Sequence, residues 1–209
     1  MVHRYGKLGV AVLVVGVLAG TAVGQNFVGG PVGGGGVLLG NPDVHKELNL
    51  TEEQITKARE VSQSLREKTK GQFDKFKDLT PEQRKAKFQE LNKTTEAEIQ
   101  KVLKVFNADQ QKRFKQLELQ WRGASAFTDP EIEKTLKLTD EQKAKVKTIN
   151  VDIGKEIQDA FKGANPKEGM TKIQTLRKEG LEKTTATLNA DQKKIWKELA
   201  GEPFEFKFP

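Results

Sequence analysis

Apolar residues recur along most of this chain at the three- and four-residue spacing of an amphipathic helix. Ile55, Ala58, Val61 and Leu65 form one stripe, continued after a polar break by Phe73 and Phe76. Phe88, Leu91, Ile99, Val102, Leu103 and Phe106 form a second, and Phe114, Leu117 and Trp121 a shorter third. The same order returns further on, as Val146, Ile149, Ile153, Ile157 and Phe161, then Ile173, Leu176, Leu181 and Leu188, then Ile195, Trp196 and Leu199. The pattern predicts an all-α fold. At 1.5 Å per residue, the two long arms of the first set would each span about 40 Å.

The residues between stripes predict where each helix begins. In Thr51-Glu52-Glu53-Gln54 the threonine hydroxyl can accept from a first-turn amide while the glutamine reaches back to the cap amide, with Leu50 and Ile55 as a hydrophobic staple. Thr139 and Gln142 repeat that pair. Thr80 and Asn165 each precede a proline, which suits the first helical position because its missing N–H costs nothing there; Gln83 and Glu168 follow three residues after each cap. Asn107 with Gln110 and Asn189 with Gln192 complete two sets of three predicted helix-capping motifs.

These starts belong to a long internal repeat. Thr51 and Thr139 lie 88 positions apart, Phe76 and Phe161 lie 85 apart, and Asn107 and Asn189 lie 82 apart. The second copy has thus lost three residues from each of two successive segments, nearly one helical turn each time. Equal shortening keeps the tip compact if the two segments are the arms of one hairpin. The expected organisation is two tandem helical-hairpin units, each of about three helices behind a short leading helix: residues 41–123, a connection over 124–128, and residues 129–200.

Outside the repeat, Arg4 and Lys7 precede an apolar stretch from Leu8 to Leu18, and Ala22 and Gly24 stand at the −3 and −1 positions of a cleavage site. Residues 1–24 are therefore expected to be an export signal, because the apolar run falls well short of the roughly 20 residues a membrane span needs. No stable span is expected after cleavage, and the compartment is periplasmic or secreted. Residues 25–40, with Gly29, Gly30 and Gly33 to Gly36, read as a flexible tether. Residues 201–209 alternate phenylalanine with charge, as an extended segment would; both docking on the helices and recognition of a partner fit that pattern.

Composition narrows the chemistry. There is no cysteine, so disulfides do not staple the fold. Without residues 1–24 the chain keeps 34 basic and 29 acidic residues, a net +5. The two signs alternate along the helices, which argues for a solvated surface and against nucleic-acid binding. His45 is the one histidine beyond the signal segment, and Ser62, Ser64 and Ser125 are the only serines. A Ser–His triad would have to use His45, which the polar surroundings place at the surface. Glu52, Glu53, Asp109, Asp140, Glu141 and Asp191 occupy first helical turns, where the helix dipole accounts for them without catalysis. The reading is of a non-enzyme with no cofactor and no metal site.

Leu50-Thr51-Glu52-Glu53-Gln54, Leu79-Thr80-Pro81-Glu82-Gln83 and Leu138-Thr139-Asp140-Glu141-Gln142 resemble the LTxxQ motif of the Spy/CpxP family of periplasmic proteins. The resemblance covers most of residues 41–200, here as two units in one chain. It implies an ATP-independent chaperone or envelope-stress accessory that binds unfolded or envelope proteins on amphipathic hairpins, with the two units packed as an intramolecular pseudo-dimer. Phe73, Phe76, Phe88 and Phe161 are the candidate protein-binding residues. The alternative is a structural or interaction protein of the envelope with one dedicated partner.

Overall fold

The computed structural model describes residues 34–70, 79–163 and 166–207, which are all-helical with no strand among them. Helices α1 (Gly34–Leu39), α2 (Pro42–Glu47), α3 (Glu52–Thr69), α4 (Pro81–Leu103) and α5 (Ala108–Arg122) come first. A 3-10 helix (Gly123–Thr128) then leads into α6 (Pro130–Leu136), α7 (Asp140–Gly163), α8 (Pro166–Ala186) and α9 (Ala190–Ala200). Residues 202–207 follow without regular structure.

Reciprocal hydrogen bonds start the helices. The Thr51 backbone donates to Gln54 Oε1 at 3.0 Å while the Gln54 backbone donates to Thr51 Oγ1 at 3.3 Å. Thr80 with Gln83, Asn107 with Gln110, Thr139 with Gln142 and Asn189 with Gln192 do the same. Each pair satisfies two amides that the first helical turn leaves unpaired. Asn165 lies outside the described residues, and Glu168 stands in the first turn of α8.

Two apolar clusters form the core. The first gathers Leu38, Leu39, Val44, Ala58, Val61, Leu65, Ile99, Val102, Phe106, Phe114, Leu117 and Trp121. Ala126, Phe127, Ile132, Leu136, Val146, Leu188 and Trp196 build the second. Helix α5 is the shared wall: Phe114, Leu117 and Trp121 face the first cluster, and Leu119, about 200° around the helix from Leu117, faces the second. Within each unit the long helices pack together, α3 on α4 and α7 on α8, and α5 packs against α9.

Corresponding positions of the two copies adopt corresponding geometry. Asn49 and Lys137, 88 apart, both take left-handed backbone with φ of 49° and 51°. Each ends a short helix in the same way, with Leu50 N bonded to His45 O and Leu138 N to Glu133 O, both at 3.0 Å. This six-residue closure uses the carbonyls that a helix end leaves open.

Three expectations change. The tether was expected to run through Gly40, but residues 34–39 form α1, and Leu38 and Leu39 are buried. Glycine is what lets this helix sit so deep: a Cβ on Gly35 would stand 2.4 Å from Ile99 Cδ1 and 2.6 Å from Glu118 Oε1. Helix α1 lies against α3, α4 and α5 much as the 3-10 helix lies against α5, α7 and α8, and Leu39 and Phe127 are again 88 apart. The second change follows, because 124–128 is not a bare connection: Ala124, Ala126 and Phe127 are buried, and Phe127 stacks on Trp196 with ring centroids 4.2 Å apart. Third, His45 is not at the surface. It is 4% exposed, and its Nε2 lies 2.6 Å from Leu39 O, so that nitrogen carries the proton and ties α2 to the end of α1.

Candidate functional site

The side chains of the four phenylalanines proposed for protein binding lie outside what the structure describes. Phe73 and Phe76 lie outside the described residues. Phe88 is on α4 and Phe161 on α7, and their side chains are likewise outside them. Helices α7 and α8 pack mainly on each other and on the 3-10 helix. Their apolar stripe is incompletely covered: Val146, Ile153, Ile173 and Leu176 are buried, while Ile149, Ile157 and Leu181 are half-buried.

Two of the motif glutamines are fold determinants. Gln54 Nε2 donates to Gln110 Oε1 at 2.9 Å, and Gln110 Nε2 donates back to Gln54 Oε1 at 3.0 Å. Gln54 also reaches Val105 O at 2.7 Å, and Gln110 reaches Leu48 O at 3.2 Å. In the second copy Gln142 and Gln192 exchange bonds at 2.8 and 3.0 Å, and reach Thr187 O at 2.9 Å and Leu136 O at 3.1 Å. Each interlocked pair therefore caps two helices and joins them. The third motif glutamine, Gln83, is exposed and makes only its capping bond among the described residues.

The richest polar and aromatic constellation surrounds Trp121, a position that helical periodicity marks only as core. Three separate elements converge on its indole. Gly34 lies so close that a Cβ there would fall 2.1 Å from Trp121 Cδ1. The Arg177 guanidinium, from α8, stands 4.1 Å from the ring centroid, a cation–π contact that crosses between units, and burial draws its pKa down to about 10. Phe206 meets the ring edge-on, with centroids 5.4 Å apart, and Phe204 packs on Phe206 at 5.0 Å.

Side-chain amides hold the extended segment that carries those phenylalanines. Gln120 Oε1 accepts from Phe204 N at 2.8 Å, and its Nε2 donates to Ala200 O at 2.6 Å and Glu202 O at 2.8 Å. Asn41 Nδ2 donates to Lys207 O at 2.8 Å, while its Oδ1 caps α2 through Asp43 N at 2.8 Å. The equivalent of Asn41 is Asp129, which caps α6 through Glu131 N and pairs with the buried Arg122 at 3.2 Å. Both residues suit the cap equally. They differ in the second bond, because the amide donates and the carboxylate can only accept.

Charge near this junction is unevenly solvated. The Glu118 carboxyl, set against Gly35 of α1, is pushed up to about 7, first by burial and then by the neighbouring Glu96 against the opposing pull of Arg122 and Lys115. Burial raises Glu96 as well. Glu98, in contrast, is held below the usual carboxylate range by hydrogen bonds from Lys68 and Lys101. On the flank between α5 and α9 an open cleft of about 650 Å³ presents Arg113, Lys194, Lys197 and Glu198, with Arg113 paired to Glu47 at 2.7 Å. No group of three or more His, Cys, Asp or Glu residues is placed to hold a metal ion among the described residues, and no helix among them is long and apolar enough to cross a membrane. The chain matches no family model, no curated protein and no solved structure.

Proposed function

We propose that the protein is an exported, ATP-independent chaperone or stress accessory of the cell envelope, which holds non-native protein segments on its helical hairpins and catalyses no reaction. The observation that carries this reading is the partly covered apolar stripe of α7 and α8, where Ile149 and Ile157 remain half-buried on a hairpin that packs on itself and on the 3-10 helix. An apolar surface of this kind, rimmed by mixed charge, suits shallow and reversible contact with unfolded chains. Similarity of Leu50 to Gln54 and of Leu138 to Gln142 to the Spy/CpxP motif supports the same class. The two glutamines inside those motifs act in the fold, so binding is assigned to the arms and not to the motif.

Light scattering tests the proposal. Residues 25–209, which retain every described residue, are mixed without ATP with two chemically unrelated aggregating proteins. Suppression of both at near-stoichiometric ratios is the expected result. A folded, helical protein that suppresses neither would refute it and favour a single dedicated partner in the envelope.

A further inference from the structure

Residues 202–207 are bound as a ligand would be. Gln120 contacts only backbone atoms of the segment, accepting from Phe204 N and donating to Glu202 O and to Ala200 O just before it. Asn41 also takes a backbone atom, Lys207 O. None of these bonds depends on which side chains the segment carries. Selectivity comes from Phe204 and Phe206, which pack on the first core cluster on one side of an extended backbone while Glu205 and Lys207 face solvent. Alternate residues of an extended chain point to opposite sides, so aromatics spaced two apart meet the cluster together.

The arrangement is not a by-product of the repeat. In the second unit the side chain of the cap residue Asp129 has no N–H to offer and is taken by Arg122. Helix α9 stops at Ala200, four residues shorter than α5, so nothing there corresponds to Gln120 or Trp121. The attachment is also loose. Both phenylalanines are only half-buried, and three hydrogen bonds to the segment must offset the ordering of six residues that have no regular structure.

We infer that the groove along α5, formed by Asn41, Gln120 and Trp121, is a peptide-binding groove for extended, aromatic-x-aromatic stretches of non-native polypeptide, and that residues 202–207 are its built-in occupant. This rests on the chaperone reading and names a client chemistry for it. A client segment gains the groove by displacing the internal one.

The test is fluorescence anisotropy with a labelled peptide of the sequence Glu-Pro-Phe-Glu-Phe-Lys-Phe-Pro, titrated with residues 25–209. Replacing the internal phenylalanines, Phe204→Ala with Phe206→Ala, should tighten peptide binding by about tenfold, because the groove is no longer occupied in cis. Adding Gln120→Glu, an isosteric change that turns a donor into an acceptor, should abolish the gain, and Asn41→Asp, which preserves the α2 cap, should reduce it. Equal affinity of the parent and the phenylalanine variant would overturn the inference, as would binding that neither groove substitution alters in proteins of unchanged helical circular dichroism. The aggregation assay separates the two proposals: peptide binding without suppression keeps the groove and removes the chaperone, and suppression without peptide binding does the reverse.

Discussion

Three glutamines occupy the same place in the same motif, yet replacing them should have very different effects. Gln83→Leu removes one exposed capping bond, from Thr80 N at 2.9 Å, and should cost about 0.5–1 kcal/mol. Gln142→Leu removes the matching bond from Thr139 N, and with it the contacts to Thr187 O and both bonds exchanged with Gln192. Gln192 is 5% exposed, so its amide is left facing an apolar side chain. At about 1 kcal/mol for each lost bond, the total is about 3–4 kcal/mol. Urea unfolding followed by helical circular dichroism measures the difference. With a slope of about 2 kcal/mol per molar, Gln142→Leu should lower the midpoint by about 1.5–2 M and Gln83→Leu by less than about 0.5 M. Similar shifts for the two variants would show that capping alone explains the motif, and that the interlocked pair adds nothing.

Further outcomes follow from single positions. Glu118 has a folded pKa of about 7 against an ordinary 4.5, so the folded state binds more protons between those values and stability falls as pH rises through that window; Glu118→Gln should match the parent near pH 4 in thermal unfolding and exceed it at pH 8 by about 2 kcal/mol, after discounting the shift for partial exposure. Gly35→Ala should cost about 1–3 kcal/mol in a urea titration because its Cβ meets Ile99 and Glu118, whereas Gly154→Ala, with nothing within 4 Å, should gain about 0.5–1 kcal/mol. Lys137→Asn, which copies Asn49 into the matching left-handed position, should raise the melting temperature by relieving a backbone penalty of about 1 kcal/mol.

The legible parts of this fold were those that depend on neighbours in sequence. A capping box spans four residues, so Thr51 with Gln54 or Asn189 with Gln192 is visible without knowing what lies across the molecule. Helix α1 was missed because glycine content was read as flexibility, although Val37-Leu38-Leu39 closes the segment and the 88-residue offset extends upstream to pair Leu39 with Phe127. His45 was misplaced for a related reason: the carbonyl that buries it belongs to α1. The glutamine interlock and the Trp121 junction join residues 50 or more positions apart, and no local pattern reports such a meeting. Recurrence was the available hint, since glutamine stands at 54 and 142 and again at 110 and 192.

The convergence on Trp121 also sets an order in time. Gly34 and Phe206 touch the same indole, and the bond from Asn41 to Lys207 spans 166 positions. A chain made from its N-terminus can assemble α1 to α5 as soon as they emerge, yet one face of that first unit stays open until Phe204 to Lys207 have been synthesised. Closure of so long a loop comes late, since its entropy must be met before the contact rewards it. The first unit begun is therefore the last one finished, and a ribosome paused before residue 204 holds a nascent chain with its aromatic groove uncovered.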